Sequence, residues 1–452
     1  MNGDEKMKST EEKKRGEFRS RMGFIIACVG SAVGMGNIWM FPYRVGKFGG
    51  FAFLIPYFIF VILLGFSGVI GEMAFGRSVK SGPMGAFGAA MKMRFGEKSE
   101  KWGKIIGLIP VLGSLAMAIG YSVVVGWLIK YFWAALSGVL INVEDMGAYF
   151  GETAISFGSV PWHILALGVT FAVMVLGISN GIEKMNKIMM PLFFVFFIIL
   201  LIRVATLAGA AEGYKYLFVP RWEQLGNIQT WVYALGQAFF SLSVAGSGTI
   251  VYGSYLKKDV DVVSCARNVA LFDTIAALIS GMVVIPAVFA FGLDVGSGPP
   301  LMFITLPAVF QNMPVGSVFA VLFFIAAIFA AITSLVNLFE TPIEAVESVL
   351  GISRGKAVAA VAVVAVAVGL FIENGDVVGA WMDAVSIYAV PLGAVLAAIM
   401  FFWICPKGYA RKQIELGREK PLGKWLEPVT KYVFCVITIV VYVLGILFGG
   451  IG

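Results

Sequence analysis

Gly30-Ser31-Ala32-Val33-Gly34-Met35-Gly36-Asn37-Ile38-Trp39-Met40-Phe41-Pro42 interrupts the first long apolar segment of this chain with three closely spaced glycines and then an asparagine. A helix in hydrocarbon cannot leave backbone groups unpaired, because each unsatisfied N–H or C=O costs several kcal/mol. A glycine-rich break at bilayer depth therefore points to a lined cavity in which something polar binds.

The rest of the composition agrees with hydrocarbon as the solvent. Of 452 residues 59% are apolar and only 13% are charged, and the mean hydropathy is +0.89. A soluble chain of this length needs far more polar cover, so we expect an all-α polytopic membrane protein embedded in a lipid bilayer. The formal net charge of +7 reads as basic loops on one side of a membrane and gives no reason to expect a nucleic-acid partner. The first apolar segment is too long for a signal-peptide core and lacks a cleavage motif, so it is expected to remain in the mature protein.

Cys28, Cys265, Cys405 and Cys435 are widely separated and read as buried small hydrophobes rather than as a disulfide or metal framework. His163 is the single histidine, which leaves zinc or triad chemistry without a second partner.

Residues 1–20 are polar and charged and read as a flexible cytoplasmic arm. With ~20 apolar residues per crossing, eleven spans are predicted, at 21–45, 50–76, 104–136, 160–178, 186–208, 230–255, 262–293, 315–349, 356–373, 378–404 and 429–449. Loop charges orient them. With the N-terminus inside, the inner connections hold most of the Lys and Arg, and the outer loops at 138–158, 294–314 and 374–380 hold none. Lys47, Lys215 and Arg221 are the exceptions. The expected location is the plasma (inner) membrane, with a cytoplasmic N-terminus.

A second interruption, Phe239-Phe240-Ser241-Leu242-Ser243-Val244-Ala245-Gly246-Ser247-Gly248, falls in the sixth predicted span. The two breaks hold corresponding places in two five-helix halves. An odd number of crossings per half inserts the second half upside down, so an inverted repeat is expected, with halves at 21–208 and 230–404 followed by a loop and last helix at 405–452. Small residues also serve close helix packing, but two breaks in register favour a binding site.

These motifs resemble the neurotransmitter:sodium symporter family, of the bacterial amino-acid-transporter type with the leucine-transporter fold. The resemblance covers nearly the whole chain. It includes Arg21-Met22-Gly23 before the first break, Gly49-Gly50, Glu72-Met73-Ala74-Phe75-Gly76-Arg77, Gly181-Ile182-Glu183-Lys184 ahead of helix 5, Gln237 with Phe239 and Phe240, Tyr252 and Tyr255, and Ala330-Ala331-Ile332-Thr333-Ser334.

The resemblance implies two sodium ions held by hard oxygen ligands. One would use the Ala32 carbonyl, the Asn37 side chain, Ser241 and Asp273. The other would use the Gly30, Val33 and Ala330 carbonyls with the Thr333 and Ser334 hydroxyls. Asp273 is a carboxylate in an otherwise apolar helix, a costly placement that usually marks function. Beside chloride-requiring relatives it looks like a built-in negative charge, so no chloride is expected. Glu72 is similar to the family's buried acid that braces the broken first helix.

The small-molecule substrate is expected between the breaks, at Ser31, Ala32, Gly34, Met35, Gly36, Met117, Gly120, Tyr121, Phe240, Ser241, Ser243, Val244, Gly246, Ser334 and Leu338. Amine-carrying relatives place an aspartate at the position of Gly34, so glycine there implies a substrate that brings its own carboxylate. Gly120 and Gly246 replace larger residues and leave room for a bulky hydrophobic or aromatic side chain. Met40 stands where the family usually has the arginine of the outer gate. Asp383 is the candidate acid of that gate, and Arg44 a candidate substitute cation. At the inner face Arg15 and Phe18 match the family's gate arm, with Tyr255 and Glu347 as partners. No twelfth span follows helix 11, so no dimer built on one is expected and a monomer is.

The resulting expectation is a sodium-coupled symporter working by alternating access. The alternatives are a same-fold carrier of an amine or other atypical substrate and a ligand-gated sodium channel. An enzyme lacks any evident pairing of nucleophile with base.

Overall fold

The computed structural model describes residues 16–244, 247–296 and 301–450, and among these every regular element is a helix. A helix satisfies its own backbone groups within one segment, which is what an apolar chain in lipid requires. Helix α1, Arg21–Ala32, opens on Ser20, whose hydroxyl accepts the Gly23 N–H at 2.9 Å. It stops at Val33, and α2, Gly36–Lys47, follows after a bend of 55°. Next come α3, Phe51–Val79, α4, Pro83–Phe95, and the long α5, Glu97–Leu136. After them lie α6, Met146–Ala154, α7, Val160–Val175, α8, Ile178–Ala205, and α9, Ala210–Phe218. Helices α10, Ile228–Ser241, and α11, Gly248–Ser254, flank the second break. They lead to α12, Val262–Ala290, α13, Leu301–Asn312, α14, Gly316–Leu350, and α15, Arg354–Ile372. The chain closes with α16, Gly375–Ile404, α17, Tyr409–Glu415, and α18, Leu426–Phe448.

Among the described residues eight helices are long and apolar enough to cross a membrane, or nine if α1 and α2 form one bent span. The other two predicted spans fall short of that length. Helix α7 has 16 residues, and the segment at 230–255 is divided into α10 of 14 residues and α11 of 7.

Several connections hold more structure than their polarity indicates. The stretch before the third span contains α4, which starts on Pro83 and ends at Gly96 with φ +88°. Glycines on α5 let it approach: a Cβ on Gly103 would lie 2.3 Å from the Phe87 carbonyl oxygen. Gly181–Lys184 belongs to α8 rather than preceding it. The end of the predicted flexible arm is docked: Phe18 is buried, and the Arg19 N–H donates to Glu183 at 2.7 Å.

Helix α14 is the central element, lying against α1, α5, α8 and α15. Glu72 on α3 is buried, but neither carboxylate oxygen has a hydrogen-bond partner and its neighbour is Thr249 of α11. Helix α3 packs here on α11, with the backbones of Gly76 and Ile250 in close approach. The four cysteines are buried and unpaired, and His163 meets the Ser122 hydroxyl at 2.9 Å.

Candidate functional site

The two breaks face each other, and side chains take up the backbone groups they free. The Gly34 N–H donates to Asn37 Oδ1 at 3.1 Å, and the Met35 N–H to the Tyr121 hydroxyl at 3.2 Å. On the other break Ser243 and Ser247 both have φ +53°, a left-handed conformation uncommon outside glycine. The Ser243 hydroxyl donates to the Ser31 carbonyl at 3.0 Å, tying the second break to the first.

Below the first break, acceptors outnumber donors. The Ser334 hydroxyl lies 3.3 Å from the carbonyl oxygens of Gly30, Ser31 and Val33. A hydroxyl has one proton, so it can serve one of the three. Thr333 is buried beside it, its hydroxyl 3.0 Å from the Phe329 and Ala330 carbonyls. A buried cluster of carbonyl and hydroxyl oxygens short of protons fits a hard cation. Of the residues expected at the second sodium site, Gly30, Val33 and Ser334 meet here, Thr333 lies against Gly30, and Ala330 is one turn before it on α14.

The other expected sodium set also comes together. Asn37 Nδ2 donates to Asp273 Oδ1 at 2.7 Å and lies 3.2 Å from the Asp273 carbonyl and from Ser241 Oγ. Ser241 Oγ donates to Asp273 Oδ2 at 2.8 Å. Asp273 is fully buried on α12. Asn37 presents its amide nitrogen to the acid, so coordination by Oδ1 needs the carboxamide turned over. Ala32 is buried at the cavity wall. Among the described residues no group of three His, Cys, Asp or Glu is placed to hold a metal.

A cavity of about 830 Å³ rises from these oxygens to the exposed carboxylates of Asp376 and Asp383. Ser31, Ala32, Gly34, Met35, Gly36, Met117, Tyr121, Phe240, Ser241, Ser243, Ser334 and Leu338 all line it. A Cβ on Gly34 would sit 2.6 Å from Ser334 Oγ, so a larger residue there must displace that hydroxyl. Two expected substrate residues are turned elsewhere. A Cβ on Gly120 would meet Met382 Sδ at 2.5 Å and Trp381 at 2.9 Å, so α16 fills the space beside Gly120. Val244 packs toward Gly68 of α3. Gly246 lies outside the described residues, as does Arg15.

The wall includes residues that the sequence does not flag, chiefly Trp127, Phe150 and Phe303. Phe150 and Phe303 stack at 5.2 Å, and Trp127 meets both edge-on. They come from three separate segments, two of them in connections, so no periodicity announces them.

Met40 and Asp383 line the same cavity. Arg44 does not join them: it is buried against α10, donating to Gln237 at 3.2 Å and lying over the Tyr233 ring. At the opposite end the chain is closed. Phe18 packs edge-on against Tyr252 and Tyr255. The Tyr255 hydroxyl donates to Glu340 at 2.7 Å, and Arg354 grips the same carboxylate with bonds of 2.9 and 2.7 Å. Arg354 also donates to the Met174 carbonyl at 2.8 Å. The principal acid of this closure is thus Glu340; Glu347 lies 4.0 Å from Arg354. An acid inside an apolar helix was the signal that could have found Glu340.

The model of the sodium:neurotransmitter symporter family matches residues 15–144 and 142–449. An uncharacterized sodium-dependent transporter of Bacillus subtilis is 36% identical over 334 residues, 73% of this chain and 72% of the relative. One from Methanocaldococcus jannaschii is 30% identical over 91% of this chain and 86% of its own. The crystal structure of MhsT in complex with L-phenylalanine superposes with a TM-score of 0.82 at 32% identity, covering 95% of this chain and 100% of that one.

Proposed function

The chain belongs to the sodium:neurotransmitter symporter family and is a sodium-dependent transporter rather than an enzyme; from that premise we propose that it carries a bulky hydrophobic or aromatic amino acid by symport with two sodium ions. The observation that carries this reading is the oxygen-rich pair of breaks, with the Gly30, Ser31 and Val33 carbonyls around one Ser334 hydroxyl and Asp273 held by Asn37 and Ser241.

Substrate class rests on charge and shape. Gly34 brings no carboxylate to meet an amine, while the Tyr121 hydroxyl and a sodium ion beside Ala32 suit the carboxylate of an amino acid. Met35, Met117, Phe240 and Leu338 supply an apolar lining, and a neighbour with the same fold is known in complex with L-phenylalanine. Asp273 supplies a fixed negative charge beside the first ion, the basis for transport without chloride.

Alternating access is favoured over a channel by the closure beyond the site, where Tyr255, Glu340 and Arg354 join four helices. The cavity opens on the side of Asp383. In this reading α7 and the α10–α11 pair also cross the bilayer, giving eleven spans as two inverted halves. On the same reading the N-terminus is cytoplasmic, which the basic connections support, and the protein is a monomer in the plasma membrane. Each sodium charge entering gains ~2.3 kcal/mol per 100 mV, enough for one coupled ion to concentrate substrate tens-fold, on the order of 10^1 to 10^2.

The test is thermal unfolding of the purified protein with single amino acids and amines, in sodium and in choline. A true ligand stabilises the fold it binds. Aromatic and large aliphatic amino acids are expected to raise the midpoint in sodium only. Stabilisation by amines lacking a carboxylate contradicts the reading.

A further inference from the structure

A second cavity of about 240 Å³ lies where the ends of α4, α16 and α17 meet the start of α18. Arg94, Lys407, Arg411 and Lys431 line it, against one acid, Glu427. Close by, Lys92, two residues before Arg94, is paired with Glu97 at 2.8 Å and Glu100 at 3.5 Å. Arg411 pairs with Glu415 at 3.1 Å. Among the described residues, however, no carboxylate lies within 4 Å of the charged groups of Arg94, Lys407 or Lys431. Arg94 and Lys407 are exposed and Lys431 is half-buried, and three like charges around one cavity favour an anion there.

The surroundings say which anion. Trp403 and Tyr432 stand edge-on at 5.5 Å, about half exposed, and the Lys431 ammonium sits 4.6 Å from the Trp403 ring centroid. The Trp403 indole N–H donates to the Lys431 carbonyl at 2.9 Å, fixing the ring in place. Half-exposed Trp and Tyr at the end of two apolar helices mark the level of lipid headgroups. From the cavity, α18 runs on with Val436, Val440, Val443 and Leu447 exposed along one face, spaced as neighbouring turns of a helix. Basic pockets between spanning helices at the cytoplasmic side suit anionic headgroups.

We propose that this cavity binds a phosphate-bearing anion, and that its source is the headgroup of an anionic phospholipid whose acyl chains lie along α18. Lys407 and Lys431 meet the phosphate as point charges, and Arg94 closes over it from α4. The site joins α4, α16 and α18, so its occupancy ties the last helix to the bundle.

The test is lipid competition on the purified full chain in detergent. Equal amounts of phosphatidylglycerol and phosphatidylcholine are added at low salt, and the lipid retained on the folded protein is read by native mass spectrometry. Phosphatidylglycerol is expected to be retained in about tenfold excess, since Lys and Arg side chains at the membrane surface attract anionic headgroups. The K407Q/K431Q variant is expected to bring the ratio close to one, with K407Q alone lowering it part of the way should the double variant fold poorly. K98Q/K101Q, on the same face outside the cavity, leaves it unchanged. Equal retention of the two lipids by the unaltered protein overturns the proposal. Displacement of phosphatidylglycerol by an equal concentration of inorganic phosphate overturns the lipid source. A drop with K98Q/K101Q as large as with K407Q/K431Q overturns the location.

Discussion

Asn37 and Asp273 stand 2.7 Å apart across the first break, the amide of one donating to the carboxylate of the other, with Ser241 completing the group at 2.8 Å from the acid. The relationship is between α2 and α12, far apart in sequence, and it holds a buried acid with no ion pair to a basic side chain among the described residues. An uncompensated acid in such a place is costly. A cation beside it would remove the cost, which is why the proposed function places the first sodium ion against this pair.

Asp273→Asn keeps the shape of the side chain and removes its charge. The half-saturating sodium concentration for substrate-induced stabilisation is expected to rise about tenfold or more, equivalent to ~1.4 kcal/mol of lost attraction. The unaltered protein is expected to transport equally well when chloride is replaced by gluconate. A sharp fall of uptake in gluconate contradicts the role given to Asp273.

Gly34→Ala puts a methyl group 2.6 Å from Ser334 Oγ and 3.3 Å from the Tyr121 hydroxyl. Both hydroxyls must move, Ser334 from the Gly30, Ser31 and Val33 carbonyls and Tyr121 from the Met35 N–H. Binding measured with a radiolabelled amino acid in sodium is expected to fall about tenfold or more, while the amount of folded protein stays the same, since the contact is with side chains that can shift.

The closed end ranks its own variants. Arg354→Ala leaves Glu340 buried without its bidentate partner, a class of change that costs about 3–5 kcal/mol. Tyr255→Phe removes one hydrogen bond to the same carboxylate, about 1.5–3 kcal/mol. Thermal unfolding is expected to show a larger loss for the first, and uptake a loss for both. Equal stability of Arg354→Ala and the unaltered protein contradicts the structural account of this closure.

Met40→Arg places a cation in the cavity that Asp383 also lines. Because Asp383 is exposed, the pair is worth only ~0–1 kcal/mol, which limits the slowing of substrate release to about fivefold. Release rates measured by dilution are expected to return to normal when Asp383→Asn is added. Slowing that persists in the double variant points to bulk rather than charge.

Much of this site is legible in the sequence because membrane burial makes anomalies expensive. The glycines of the first break, the serines of the second and the lone acid Asp273 each violate the rule for an apolar helix, and all are brought together. Glu340 breaks the same rule, but it lies close to Glu344 and Glu347, which makes it read as the polar end of a helix, and Arg354 reads as a loop charge. Gly120 misleads for a different reason. A small residue shows that something approaches closely without saying what, and here Met382 and Trp381 from α16 take the space. The aromatic wall of Phe150 and Phe303 is set by how connections fold back over the bundle, which no local pattern encodes.

The most direct test is accumulation in sealed vesicles. Purified protein is reconstituted with low internal sodium, and uptake of labelled L-phenylalanine is followed as a sodium gradient is imposed outside. The symport account predicts a transient rise of internal substrate above the external concentration, abolished when choline replaces sodium or an ionophore collapses the gradient. Uptake that stops at the external concentration whatever the sodium gradient contradicts it.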